Sequence, residues 1–405
     1  MKIQDIKTYA IKSRIKLQEN LWKERLIRPV DIYPKFKQET FPALPVKHIR
    51  GDEYETTSTF VEVVTDEGVS GISGPLGAVL ERIQAVIIEK ELKPILIGED
   101  PFANEKIWDM MYRYMTHGRK GETMMAISAI DCAIWDLKGK YFNSPVWKLI
   151  GGPTRDKVRA YASTYTCSLA PKEVTKTCNR LLDEGYTAMK WFFRYGPEDG
   201  AKGEEKNLEL VKTIRDTVPF SVQLMLDCWM GWNKSYTIKM AKKFEKYEIE
   251  WIEEPVMSEK VNEYAEIKKE SPIKISGGEH EYTRWGSNLL LEKKAIDFAQ
   301  PDIMWAGGIT ECLKIVSLTS LYPVPLIPHG SSMPATINFL FSKPETECPL
   351  GEFLTNWNLI AQAPFKEQVY PEKGYFKPTV RPGLGFEIDE TKVYKKIEYN
   401  DLVNS

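Results

Sequence analysis

Beyond Gly151-Gly152-Pro153 the sequence repeats one unit: a short β-rich run, a turn, an amphipathic stretch of helical length, then another β-rich run. Eight runs can be read, namely RAYAS, AMKWFF, VQLMLD, WIE, KISGGE, DFAQPD, PLIPH and GEFL. Strands joined through helices must lie parallel, because the return crossing is made outside the sheet. Eight such units predict an α/β fold, a (β/α)₈ TIM-type barrel over residues 155 to 355, with an irregular last unit.

The runs end in chemistry. Asp227 closes VQLMLD, Glu253 closes WIE and Glu279 closes KISGGE, at intervals of 26 and 26 residues. One strand-loop-helix unit apart, all three carboxylates project from the same rim, the active-site face of a barrel. Three converging carboxylates repel one another and raise their own pKa values unless a cation sits among them. A hard divalent ion suits such oxygen ligands, Mg²⁺ first and Mn²⁺ as the alternative.

The next two runs end in Asp302 and His329, 27 residues apart. An aspartate beside a histidine fixes the imidazole tautomer and stabilises its protonated form, as a general base requires. Only four histidines occur, His48, His117, His280 and His329, and two of them fall at this rim. Taken singly, each residue has a bland explanation: Glu253-Glu254-Pro255 resembles an acidic helix start, and Asp302 could cap the turn before Gly307-Gly308. Five in succession at strand ends are hard to obtain from capping alone. Lys190 could neutralise a substrate carboxylate or simply snorkel at the rim, His280 could face the substrate, and Glu352 could cap a strand or donate to an oxyanion as a protonated acid.

Before the barrel, Lys2 to Ile11 and residues 55 to 75, broken at Asp66-Glu67-Gly68, predict a small antiparallel sheet. Residues 20 to 50 carry four prolines and seven Lys/Arg against three Asp/Glu, which reads as a long irregular loop with a positive field. Its length makes it a lid candidate, with Arg25, Arg28 and Arg50 as contacts for an anionic substrate; a solvated surface segment is the alternative. Glu105 to Lys140 has helical spacing, and residues 356 to 405 lack barrel periodicity and are expected to pack back on the N-terminal sheet. The expected domains are therefore 1–125, a cap with the 20–50 lid; 126–355, the barrel; and 356–405, the returning segment.

Composition narrows the function. Lys+Arg 55 against Asp+Glu 57 gives a net charge of -2, without the basic footprint of nucleic-acid binding. No stretch approaches the length of a membrane span, and the N-terminus lacks an apolar leader pattern. Six scattered cysteines without a CxxC pair are expected as reduced thiols in a cytoplasmic protein.

The order Asp227, Glu253, Glu279, Asp302, His329, together with SAIDCAIWDLKGKYFNSPVWKLIGG at 128 to 152, resembles the mandelate racemase branch of the enolase superfamily. Within that branch LMLDCWM, WIEE, GEH, QPDIMWAGGIT, PHGSS and GEFL look most like the L-rhamnonate dehydratases. The resemblance implies a modified barrel with an α+β capping domain, and a homo-oligomer. It implies Mg²⁺ held by Asp227, Glu253 rather than Glu254, and Glu279, with Asp302 and His329 as the base dyad. Many members carry a Lys-x-Lys pair on the second strand; here the segment is Lys190-Trp191-Phe192, so the second base is missing. The dehydratases' second histidine after GEH is Glu281 here.

The implied activity is that of an acid-sugar dehydratase, a lyase that removes the α proton of an aldonate such as L-rhamnonate and expels the 3-hydroxyl to give a 2-keto-3-deoxy acid. One histidine suffices for a syn elimination. A racemase, epimerase or cycloisomerase of the same fold needs a second acid/base, for which only Lys190 or His280 is at hand. A non-catalytic sugar-acid binding protein would have no use for the dyad.

Overall fold

The computed structural model describes residues 1–17, 23–37, 46–77 and 81–404. The cap is an antiparallel sheet of β1 (Ile3–Lys16), β2 (Val46–Arg50), β3 (Glu53–Thr65) and β4 (Ser70–Ser73). Tyr9 faces Phe60 across β1 and β3, and Val61 faces Ser73 across β3 and β4. The expected turn at Asp66-Glu67-Gly68 joins β3 to β4, with Gly68 at φ +79 in open space. A residue with a Cβ is strained at that φ.

The described parts of the 20–50 segment are more regular than an irregular loop. They hold a short 3₁₀ turn (Pro29–Ile32), a helical turn (Pro34–Lys37) and β2. Strand β2 pairs with β3, which satisfies backbone groups that a loop would leave to water. Residues 20–22 and 38–45 lie outside the described residues. The helical stretch from Glu105 to Lys140 is two helices, Asn104–Tyr114 and Glu122–Tyr141, separated where Gly118 and Gly121 interrupt the apolar pattern.

Helix Glu122–Tyr141 is buried on several faces because it is shared. Gly71 of β4 meets it so closely that a Cβ would lie 2.0 Å from the Ala133 carbonyl oxygen. From its other side Asp131 accepts hydrogen bonds from Thr310 N (2.9 Å) and Thr310 Oγ1 (2.5 Å) on the barrel helix Gly308–Leu321. The 125/126 boundary expected from sequence therefore falls inside one continuous helix that both units pack against.

The barrel strands are β5 (Val158–Ser163), β6 (Ala188–Phe192), β7 (Gln223–Asp227), β8 (Ile249–Glu253), β9 (Lys274–Gly277), β10 (Phe298–Ala299) and β11 (Gly351–Leu354), parallel in the order β10-β9-β8-β7-β6-β5-β11. The PLIPH run fills the remaining position through isolated bridges, Ala299 to Leu326 and Asp302 to His329. Pro325 and Pro328 withhold the N–H groups that a regular ladder would use, which accounts for the irregular unit. The fold is thus a modified (β/α)₈ barrel with an α+β cap.

Inside the barrel Tyr161, Ala188, Met225, Trp251, Ile327 and Leu350 form a buried apolar plug. Side chains on a strand alternate faces with period two, so the inward residue one step further along each strand stands directly above this plug. Those residues are Ser163, Lys190, Asp227, Glu253, His329 and Glu352. An apolar floor under a polar layer places the chemistry at the carboxyl ends of the strands.

After β11 the chain lays β12 (Tyr375–Phe376) against β5 and β13 (Val393–Glu398) against β1, so the returning segment touches both units. All six cysteines are free. No helix among the described residues is long and apolar enough to cross a membrane.

Candidate active site

Lys190, on β6, sits under the strand-end acids. Its ammonium bonds Glu253, lies 2.9 Å from Glu352 Oε1 and 3.3 Å from Asp227 Oδ2, and is almost wholly buried. The lysine expected to meet a substrate carboxylate is therefore engaged by three carboxylates of the protein itself. The second oxygen of Glu253 accepts from Trp251 Nε1 (3.0 Å) and Gln300 Nε2 (2.8 Å). Trp251 is two residues before Glu253 on the same face, a relation visible in the sequence; Gln300 required the fold.

Glu254 has φ +38, and this turn at the end of β8 points its carboxylate away from Glu253's surroundings, toward His280. Glu254 Oε2 lies 2.7 Å from His280 Nδ1, and Glu279 Oε1 lies 3.6 Å from the same nitrogen. Burial opposes the imidazolium of His280, but the Glu254 charge and hydrogen bond outweigh it and bring the pKa up to about 9. His280 packs between Trp229 and Trp305, each ring 5.8 Å away.

On the other side of Glu279, His329 Nδ1 lies 2.6 Å from Asp302 Oδ2, while its Nε2 is 3.7 Å from Glu279 Oε2 and 4.0 Å from Glu352 Oε2. Asp302 is oriented in turn by Met304 N (2.7 Å) and Ser331 N (3.3 Å). Burial again opposes charging, yet Glu279, the Asp302 hydrogen bond and Glu352 raise the His329 pKa to about 10. Glu352 accepts from Gly330 N at 3.0 Å. Burial pushes the Glu352 carboxyl up, but Lys190 and His329 hold it below its ordinary value.

Burial is also the main force on the acids of the expected metal set. It pushes the Asp227, Glu253 and Glu279 carboxyls up, aided by the neighbouring carboxylates and opposed chiefly by Lys190 at the first two and by His329 at Glu279. Such a donor set, hard oxygens carrying more negative charge than their neighbours offset, fits a divalent cation. Among the described residues, the trio whose ligand atoms lie within 4.8 Å of one another is Glu254, Glu279 and His280.

The cap reaches this rim through residues 23–37. Ile27 N donates to Phe193 O (2.7 Å) just past β6, and its side chain seats against Gly196 and Gly231, where a Cβ would come within 2.4 and 2.7 Å. Arg25 is buried and donates to Asp31 Oδ2 (2.5 Å), Asp31 Oδ1 (3.1 Å), Leu26 O, Phe36 O and Lys37 O. It folds the segment on itself instead of reaching outward. Arg28 shares Asp31 and donates to Phe36 O (2.8 Å), and its charge is felt by the Tyr165 hydroxyl, which burial and Asp227 push up to about 12. Arg50 stands exposed at the end of β2, paired with Glu53 at 3.1 Å. Glu281, buried, is met by Lys120 of the cap at 2.9 Å, a contact the sequence did not suggest.

Comparison with known proteins identifies the family of this fold. Residues 35–151 match the mandelate racemase / muconate lactonizing enzyme N-terminal domain, and residues 173–392 match the enolase C-terminal domain-like family. The chain belongs to the enolase superfamily. This superfamily member is 35% identical over 297 residues, 73% of the chain and 72% of the relative, to an L-rhamnonate dehydratase of Saccharopolyspora erythraea. It superposes on the L-rhamnonate dehydratase of Gibberella zeae with TM-score 0.84 at 30% identity, covering 100% of this chain and 98% of that one. A structure of rhamnonate dehydratase from Gibberella zeae complexed with Mg gives 0.82 at 28%, with the same coverage. The 3,6-anhydro-D-galactonate cycloisomerase of Zobellia galactanivorans gives 0.78 at 28%, covering 98% and 100%. The protein is an enolase-superfamily enzyme of the dehydratase, or lyase, kind.

Proposed function

We propose that this enzyme is a Mg²⁺-dependent acid-sugar dehydratase acting on L-rhamnonate or a related aldonate. The observation that carries the reading is the His329–Asp302 pair, at 2.6 Å, aimed across Glu279 at the strand-end carboxylates. Asp227, Glu253 and Glu279 would hold the cation; Asp227 and Glu253 are register partners on adjacent strands and Glu279 lies two residues past the end of the next, β9. Bound there, Mg²⁺ would offset the charge that develops on a substrate carboxylate as the α proton leaves.

His329 Nε2, neutral once the Glu279 charge that helps hold its proton is offset by a bound cation, takes the α proton, and Asp302 on Nδ1 fixes the tautomer that exposes Nε2 and steadies the imidazolium. The same imidazolium returns its proton to the departing 3-hydroxyl, which leaves as water. The enol then tautomerises to a 2-keto-3-deoxy acid. Phe192, where a second lysine base would stand, offers no proton, consistent with chemistry on one face. Arg28 at the rim and His280, braced by Glu254, would contact the sugar hydroxyls, whereas Arg25 would position the segment that carries Arg28. The six free thiols support a cytoplasmic location, and family resemblance supports a homo-oligomer.

The His280–Glu254 pair favours one second reading, an isomerisation or cycloisomerisation using two acid/base groups. Incubation of the enzyme and Mg²⁺ with a panel of aldonates and aldarates, read with semicarbazide, separates them: dehydration yields a 2-keto acid, isomerisation does not.

A further inference from the structure

Among the described residues, the buried ammonium of Lys190 touches three carboxylates, of which two, Asp227 and Glu253, belong to the proposed metal set. The third, Glu352, faces His329. The ring of Tyr161, in the plug, lies 5.9 Å from the ammonium, and Lys190 is only 3% exposed. One positive charge thus binds together acids that would otherwise repel, and it does so on oxygens that a divalent ion would need. We propose that Lys190 is a positioning residue that acts as a built-in counter-cation: it holds the carboxylate layer together without metal and competes with the metal for Asp227 and Glu253, setting a moderate affinity.

Competition follows from charge and geometry. A cation brought among Asp227, Glu253 and Glu279 is repelled by Lys190, and Glu253 must share its Lys190-bonded oxygen or turn. Removing the ammonium removes the repulsion and leaves the acids uncompensated until a metal arrives. Lys190→Met should therefore bind metal more tightly while being less stable without it. A lysine that merely oriented Glu253 for the metal would give the opposite result, weaker binding on removal.

This inference rests on the proposed metal set, and the experiment separates the two. Mg²⁺ affinity is measured by calorimetry, and Tm with and without Mg²⁺, on substrate-free wild type, Lys190→Met, Lys190→Arg and Glu253→Gln. Lys190→Met should bind Mg²⁺ at least about tenfold more tightly, with a lower metal-free Tm and a larger rise in Tm on adding Mg²⁺. Lys190→Arg, which keeps the charge, should return affinity toward wild type. If Lys190→Met folds only with Mg²⁺, that also supports the role; if it folds in neither condition, Lys190→Gln, which keeps a donor for Glu253, takes its place. Equal or weaker Mg²⁺ binding without the ammonium, alongside a loss in Glu253→Gln, overturns the counter-cation role alone. Unchanged binding in Glu253→Gln overturns the metal set itself.

Discussion

Asp302 and His329 are paired twice, by a backbone bridge between their strand ends and by the 2.6 Å contact of Asp302 Oδ2 with His329 Nδ1. The double attachment leaves His329 little freedom of orientation, with Nε2 held toward Glu279 and Glu352. Asp302→Asn keeps the size but loses the charge that stabilises the imidazolium. Its kcat/KM should fall by about 10²–10⁴, with an unchanged circular dichroism spectrum. Near-wild-type kinetics would remove Asp302 from the mechanism.

The two adjacent glutamates at the end of β8 give the second prediction. Glu253 faces the barrel axis beside Asp227, whereas Glu254 is occupied by His280. Glu253→Gln should weaken Mg²⁺ binding by more than about 100-fold and Glu254→Gln by about tenfold, the size of a supporting contact. The reverse order in a calorimetric titration would transfer the ligand role to Glu254.

How much of this was readable beforehand follows from periodicity. Asp227, Glu253, Glu279, Asp302 and His329 recur once per barrel unit, and a unit of constant length puts its last residue on one rim. Glu254's partner was not readable, because it depends on a positive φ at Glu254 that nothing in Glu-Glu-Pro announces. Strand β2 was hidden behind Pro42 and Pro45, and its pairing with β3 is a long-range contact. Arg25 and Asp31 stand six residues apart, a spacing that carries no helical signal and none of burial, so Arg25 read as a contact for an anionic substrate.

Asp131 gives a pH dependence of stability remote from the site. Burial pushes its carboxyl up to about 7, against the two hydrogen bonds from Thr310. A folded pKa above the ordinary 3.8 means that the folded protein holds this proton more tightly, so its stabilising contribution is complete below pH 3.8 and is lost as pH rises through about 7. Asp131→Asn can still accept from Thr310 N and donate to Thr310 Oγ1. Relative to this variant, wild type should lose stability between about pH 4 and 7 in urea titrations; a constant difference across that range would contradict the assignment.

The arginines of the cap segment should separate by position. Arg28→Met, at the rim near Tyr165, should raise KM with little change in Mg²⁺ affinity. Arg50→Met, exposed on β2, should leave both unchanged. Arg25→Met leaves the buried Asp31 with Arg28 as its remaining charged partner and should cost about 1–3 kcal/mol of stability, seen as a lowered urea midpoint. Equal KM effects at Arg28 and Arg50 would show that the segment acts only through its overall charge.

The central claim is that His329 is the base of a metal-assisted dehydration. It is tested most directly by following 2-keto acid formation from L-rhamnonate and related aldonates in D₂O with Mg²⁺, in wild type and His329→Asn. Wild type should form a 2-keto-3-deoxy acid, and His329→Asn should lose both product formation and exchange of the substrate α proton while still binding Mg²⁺. Product formation or α-proton exchange persisting in His329→Asn would contradict it.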